Sequence, residues 1–77
     1  TKHKDFIMEV FVLVQISKDP LFPWSQVRFA GSLEDFKKFA ADYLDGKFGH
    51  FNYRLERWVN GVEDECFNEH EIIHYSN

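Results

Sequence analysis

Residues 53–67 read YRLERWVNGVEDECF, and this stretch decides the fold. Its centre is Asn60-Gly61, which lies between two runs of alternating apolar and polar residues. Asn-Gly in this setting is typical of a two-residue type I′ turn, which joins two antiparallel strands. The turn therefore predicts a β-hairpin with the pairs Val59–Val62, Trp58–Glu63, Arg57–Asp64, Glu56–Glu65, Leu55–Cys66 and Arg54–Phe67.

The hairpin has two faces, because successive side chains of a strand point to opposite sides of the sheet. One face is mainly apolar, and we expect it to lie in the core; it carries Tyr53, Leu55, Val59, Val62 and Cys66. The opposite face is expected to point outward; it carries Arg54, Glu56, Trp58, Glu63, Glu65 and Phe67.

Two further strands are predicted in the first half of the chain. Residues 6–16 read FIMEVFVLVQI and are rich in β-branched and aromatic residues, which favour strands. All of their even-numbered positions are apolar, so the even face is expected in the core and Phe11 and Leu13 on the outside. Residues 17–24 contain Pro20 and Pro23, which predict a loop, and residues 25–30 form the second strand.

A helix is predicted from Leu33 to about Asp45. Ser32 is a suitable N-cap, with an acidic residue three positions later, and Gly46 is suited to end the helix. The apolar positions repeat with helical periodicity; they are Leu33, Phe36, Phe39, Ala40, Tyr43 and Leu44. Residues 68–77 are compatible with either a short helix or a last strand.

Together these elements predict a single α+β domain covering residues 1–77. The expected order is β-β-α-β-β, with a four-stranded antiparallel sheet and one helix packed on one face. Hydrophobic residues make up 44% of the 77 residues and aromatic residues 18%, which favours a dense core over disorder.

The cysteine count and the hydropathy pattern favour a cytoplasmic protein. Cys66 is the only cysteine, so no disulfide can form within the chain, and we expect a buried and unreactive thiol. No apolar run reaches the length of about 20 residues that a transmembrane helix needs, and no signal peptide is recognisable. We therefore expect no membrane association.

The net charge of −4 is unevenly distributed. Residues 1–38 carry six Lys or Arg and five Asp or Glu, whereas residues 39–77 carry three and eight. A basic surface for nucleic acid is therefore not expected. The acidic half predicts either a simple solvated surface or a face that attracts a basic partner.

One catalytic motif occurs literally: His70-Glu71-Ile72-Ile73-His74 matches H-E-x-x-H. On a helix, histidines four residues apart share a face and can both bind zinc, while the glutamate acts as general base. On this spacing the segment resembles the zincin metalloproteases. Zincins take a third ligand from further along the chain, and only three residues follow His74, so we expect no metal and no cofactor.

Exposed aromatic and acidic residues are the remaining candidates for a functional surface. The proline-flanked loop holds Leu21, Phe22 and Trp24, which either cap the core or are displayed. A second group lies on the strand faces not assigned to the core, where an apolar patch with an acidic rim would mark an interface; it consists of Phe11, Leu13, Glu56, Trp58, Glu63 and Glu65.

These features predict a non-catalytic protein-binding module rather than an enzyme. It would block the basic or nucleic-acid-binding surface of a larger protein. In size and charge, though not by any motif, the chain resembles the inhibitors of phages and other mobile elements. Two alternatives stay open: a small zinc-dependent hydrolase using His70, Glu71 and His74, and a housekeeping homo-oligomer, with a homodimer as its simplest form.

Overall fold

The computed structural model describes residues 8–45 and 49–76. It contains a four-stranded antiparallel sheet in the spatial order β2-β1-β3-β4, which confirms the predicted α+β class. The strands are β1 (Glu9–Ile16), β2 (Ser25–Gly31), β3 (Asn52–Val59) and β4 (Val62–Phe67). The helices are α1 (Leu33–Tyr43) and α2 (Glu69–Ser76), so the segment that the sequence left open after residue 68 is a helix.

Both helices pack on the same face of the sheet. The buried core joins side chains of α1 and α2 to side chains of β1, β3 and β4. Its members are Phe11, Leu13, Phe36, Ala40, Leu44, Tyr53, Leu55, Phe67 and Ile72. The other face of the sheet carries no helix from the described part of the chain.

The predicted orientation of β1 was wrong. Phe11 is 2% exposed and Leu13 is 0% exposed, so the odd-numbered side chains face the helices. The even-numbered valines line the opposite, helix-free face, where they are half-buried. The odd face also holds Gln15, which is 2% exposed. Burying this amide is tolerated because Gln15 Nε2 donates to Tyr53 Oη at 2.8 Å and Arg28 Nε donates to Gln15 Oε1 at 2.8 Å.

The Asn60-Gly61 turn joins β3 and β4 as predicted. Asn60 has φ 52° and Gly61 has φ 83°, which are the two positive values that a type I′ turn requires. The turn is also tied to β1, because Asn60 N–H donates to the Met8 carbonyl at 2.8 Å and Met8 N–H donates to Asn60 Oδ1 at 3.0 Å.

The hairpin register follows the prediction only near the turn. The pairs Val59–Val62 and Trp58–Glu63 are confirmed. An irregularity between Arg57 and Trp58 then shifts β4 by one residue, which is the effect of a β-bulge. The observed pairs beyond it are Arg57–Glu65, Glu56–Cys66 and Leu55–Phe67.

This one-residue shift reverses the faces of the last residues of β4. Phe67, expected outside, is 5% exposed and joins the core. Cys66, expected in the core, is exposed. Val62 was also expected in the core, but it directly follows the Asn60-Gly61 turn and is 67% exposed. Tyr53 and Leu55 are buried as predicted.

Helix α1 begins where the sequence indicates. Ser32 is its N-cap, and its Oγ accepts the Asp35 N–H at 3.1 Å. Phe36, Ala40 and Leu44 are buried, while the other predicted apolar positions pack against the core from its edge. The helix ends at Tyr43 rather than at Asp45, and the predicted terminating residue, Gly46, lies outside the described residues.

The orientation of β1 can be tested with two truncations in the same strand. Leu13→Ala should lower the free energy of unfolding by about 2–5 kcal/mol, because it leaves a cavity between the sheet and the helices. Val12→Ala, on the helix-free face, should cost clearly less, on the order of 1 kcal/mol. Urea denaturation of both variants measures the difference. Equal losses would contradict the observed orientation.

The positive φ at Gly61 predicts that an alanine there lowers stability more than an alanine at Gly49. Gly61→Ala should destabilise the domain by about 1–2 kcal/mol, because an L-residue adopts this conformation at a cost. The matched control is Gly49→Ala. An added Cβ meets nothing within 4 Å at either glycine, but only Gly61 has a positive φ. Thermal unfolding should therefore show a lower midpoint for Gly61→Ala alone.

Candidate functional site

Helix α2 places the H-E-x-x-H segment on the surface beside β4. His70, Glu71 and His74 line a depression of about 410 Å³, together with Glu65, Phe67 and Tyr75. The helical conformation satisfies the geometric condition of the motif, because residues four apart share a helix face. Phe67 forms the floor, and its ring meets the ring of Tyr75 edge-on at a centroid distance of 4.9 Å.

Glu71 already has a structural role in this helix. Its N–H donates to Asn68 Oδ1 at 3.1 Å, while its Oε1 accepts the Asn68 N–H at 3.0 Å. This reciprocal pair is a capping box, in which the side chains of the N-cap and N3 residues satisfy each other's free backbone donors. The glutamate that the motif would use as general base is therefore the residue that caps α2.

No group of three or more His, Cys, Asp or Glu side chains that could hold a metal ion occurs within residues 8–45 and 49–76. The second carboxylate of the depression is also engaged, because Glu65 Oε1 accepts Arg57 Nη1 at 3.1 Å. The arrangement thus provides two imidazoles on one helix face and two carboxylates that already have protein partners.

The predicted acidic rim is divided between the two faces of the sheet. Glu65 lies on the helix-covered face, where Arg57 also binds Asp64 and, at 2.6 Å through Nε, Glu9. These contacts, with the Glu9 hydrogen bond first, raise the pKa of Arg57 above its usual value. Arg57 therefore links β1, β3 and the bulge of β4 with a permanent positive charge.

Glu56 and Trp58 lie on the helix-free face, as predicted. Glu56 is only 6% exposed, and both of its oxygens are used. Oε1 accepts the Trp58 indole N–H at 3.0 Å, and Oε2 pairs with the Arg54 guanidinium. Glu56 is thus a buried acceptor that orients its neighbours, while Glu63, paired with Trp58 across the strands, is exposed.

The surroundings of the exposed Cys66 raise the pKa of its thiol. Partial desolvation raises the pKa of its thiol, Arg54 lowers it, and the carboxylates of Glu63, Glu56 and Glu71 raise it. The net shift is upward, so the thiol is protonated at neutral pH, whereas catalytic cysteines need a lowered pKa. The predicted burial of Cys66 was wrong, and the expectation of an unreactive thiol stays a prediction.

The loop between β1 and β2 displays its apolar residues. Leu21 is 81% exposed, Phe22 is 70% exposed and Trp24 is 41% exposed. Trp24 packs against the domain, with its ring 5.8 Å from the ring of Phe51. The sequence predicts that these residues either cap the core or are displayed. Leu21 and Phe22 are displayed, whereas Trp24 is partly packed against the domain.

The displayed residues lie on an ordered turn. Asp19 N–H donates to Ser17 Oγ at 3.0 Å, and Leu21 N–H donates to Asp19 Oδ1 at 2.9 Å. Phe22 N–H donates to the Asp19 carbonyl at 3.2 Å, which closes a β-turn with Pro20 at its second position. A further bond of 2.9 Å from Ser17 N–H to the Trp24 carbonyl closes the base of the loop.

Comparison with protein-family models, with curated proteins and with solved structures finds no match for this chain. The described helices are also too short to span a membrane. The geometry of these surfaces is therefore what indicates the function of the protein.

The role of Glu71 as a capping residue predicts a specific pattern of stability. Glu71→Ala should lower the free energy of unfolding by about 1 kcal/mol, because it removes the acceptor for the Asn68 N–H. Glu71→Gln should retain most of the stability, because Gln also serves in capping boxes.

A double-mutant cycle with Asn68→Ala checks the mechanism, since reciprocal partners should show non-additive losses. Glu34→Ala, an exposed carboxylate in the first turn of α1, is the control for a simple charge effect on a helix. Additive losses would mean that the two capping hydrogen bonds act independently, and no loss at either position would mean that the capping box contributes no stability.

Proposed function

We propose that this protein is a non-catalytic binding module that inserts the turn at Leu21 and Phe22 into an apolar pocket of a larger protein. The observation that carries the proposal is the exposure of these two large side chains, 81% and 70%, on a turn held by its own hydrogen bonds. Large apolar residues displayed together are the informative exception on a protein surface.

The order of the turn favours binding because it lowers the entropy lost on association. Pro20 and Pro23 fix two φ angles, and the Asp19 carboxylate holds the Leu21 amide. A loop that already has its bound conformation does not lose that freedom again when it docks. Because both side chains project from a turn, the complementary surface on the partner is a concave apolar site.

The charge distribution favours a partner with a basic rim around that pocket. Residues 17–24 carry one positive and one negative charge, whereas the whole chain has a net charge of −4. An acidic protein is steered toward basic surfaces and away from anionic lipid headgroups. The module would act by occlusion. Because it is acidic, it would cover a basic or nucleic-acid-binding surface of its partner. An inhibitor of the phage or mobile-element type fits this proposal.

The test uses a photoreactive amino acid in place of Phe22 in an extract of the source cells. Irradiation should give a discrete adduct with one larger protein. The same amino acid at Val62, which is 67% exposed on the opposite edge strand, is the control and should give no such adduct. Adduct formation should weaken as salt rises, because the steering charges are screened over about 8–10 Å.

Competition decides whether the adduct reports a specific site. Unlabelled protein should suppress the adduct, while the double variant Leu21→Ser/Phe22→Ser should not, although its thermal stability should match the parent because both side chains are exposed. Equal competition by the double variant, equal labelling from Val62, or sedimentation of the protein with phosphatidylglycerol vesicles would each overturn the proposal.

A further inference from the structure

The helix-free face of the sheet forms a second surface, which we call the valine face. Its centre consists of the even-numbered residues of β1, and its remaining members come from the neighbouring strands by the observed pairing. The apolar members are Val10, Val12, Val14, Ile16, Val27, Ala30 and Trp58. Val27 is 56% exposed, and small soluble proteins rarely leave a contiguous apolar patch uncovered.

The charges on the valine face are arranged at its two ends. Val10, Trp58 and Glu63 form one cross-strand row, so exposed Glu63 lies at one end. At the other end, Arg54 pairs with Val14 across the strands, and its side chain is 50% exposed.

The middle row of the face consists of Ala30, Val12, Glu56 and Cys66. It presents no exposed charge, because Glu56 is only 6% exposed. The valine face therefore has no exposed charge in its middle row; the half-exposed Arg54 guanidinium, which also pairs with Glu56, lies at one end, and the exposed Glu63 carboxylate lies at the other.

A surface with this pattern is complementary to itself. A two-fold axis along the middle row exchanges the two ends, so Arg54 of one copy faces the Trp58 and Glu63 end of the other. A guanidinium over an indole and beside a carboxylate is favourable on both counts. We propose that the valine face is the interface of a symmetric homodimer, in which two copies of this chain pack sheet against sheet.

The size of the face agrees with such an interface. Four strands about 4.8 Å apart, of six to eight residues at about 3.4 Å each, give roughly 19 by 20–27 Å, or about 400–500 Å² of projected area. Side chains raise the accessible area above the projected one, and stable interfaces bury about 600–1,000 Å² per partner. Arg54 and Trp58 are also held in place before docking, because both bind Glu56.

Sedimentation equilibrium of the purified chain, from micromolar to millimolar concentration, tests the proposal. The expected result is a reversible change from monomer to twice the monomer mass. Val27→Asp should weaken the dimer by about tenfold or more, because it buries a charge in the interface. Val62→Asp is the matched control: Val62 is 67% exposed, also on an edge strand, but on the opposite face, and this variant should dimerise like the parent.

A charge reversal checks the orientation of the two copies. Glu63→Lys should weaken the dimer, because it places a positive charge opposite Arg54, whereas Asp42→Lys, the same change on exposed α1, should not. A monomer at every concentration would overturn the proposal. So would equal weakening by Val27→Asp and Val62→Asp, or a dimer insensitive to Glu63→Lys. The valine face and the turn at Leu21 are separate surfaces, so failure here leaves the cross-linking result unaffected.

Discussion

The structure depends on the contact between Leu13 and Leu55 at the centre of the sheet. The two residues are directly paired between the central strands β1 and β3, and both are 0% exposed. Side chains alternate along a strand. Burying this pair under the helices therefore fixes which face of the sheet each remaining residue of both strands lies on. It places Phe11 and Tyr53 in the core and leaves the valines of β1 and the indole of Trp58 on the helix-free side.

The polar groups that this arrangement buries have hydrogen-bond partners on the neighbouring strands. Gln15 is buried together with Leu13, and its amide is satisfied by Tyr53 and Arg28. Burial, as the largest effect, raises the pKa of Tyr53, so its hydroxyl stays neutral in this network. Among the described residues, no buried side-chain nitrogen or oxygen lacks a hydrogen-bond partner. The sheet therefore buries amide and carboxylate groups without the cost of an unsatisfied donor or acceptor.

A structural role within the domain also accounts for the H-E-x-x-H segment. A capping glutamate at the third helical position and histidines spaced by one helical turn are sufficient to produce the motif. Its helical conformation is necessary for zinc chemistry but is shared by any short amphipathic helix. The surfaces without an internal role are instead the turn at Leu21 and Phe22 and the valine face. Both are apolar and lie on an acidic protein, and our proposals of binding depend on these two surfaces.

The sequence by itself determined the features that depend on local chemistry. The Asn60-Gly61 turn needs two positive φ angles, and α1 needs the Ser32 cap and a periodic apolar face, so both could be predicted without tertiary information. The orientation of β1 could not, because both of its faces are largely apolar and the partners that make burial of Gln15 tolerable come from β2 and β3.

The bulge in β4 likewise follows from tertiary contacts. A shift of one residue brings Phe67 under α2 beside Leu55, and Arg57 holds the displaced carboxylates. Which residues form the valine face was therefore decided by packing, since a strand that is apolar on both sides acquires an inside only when helices cover one of them.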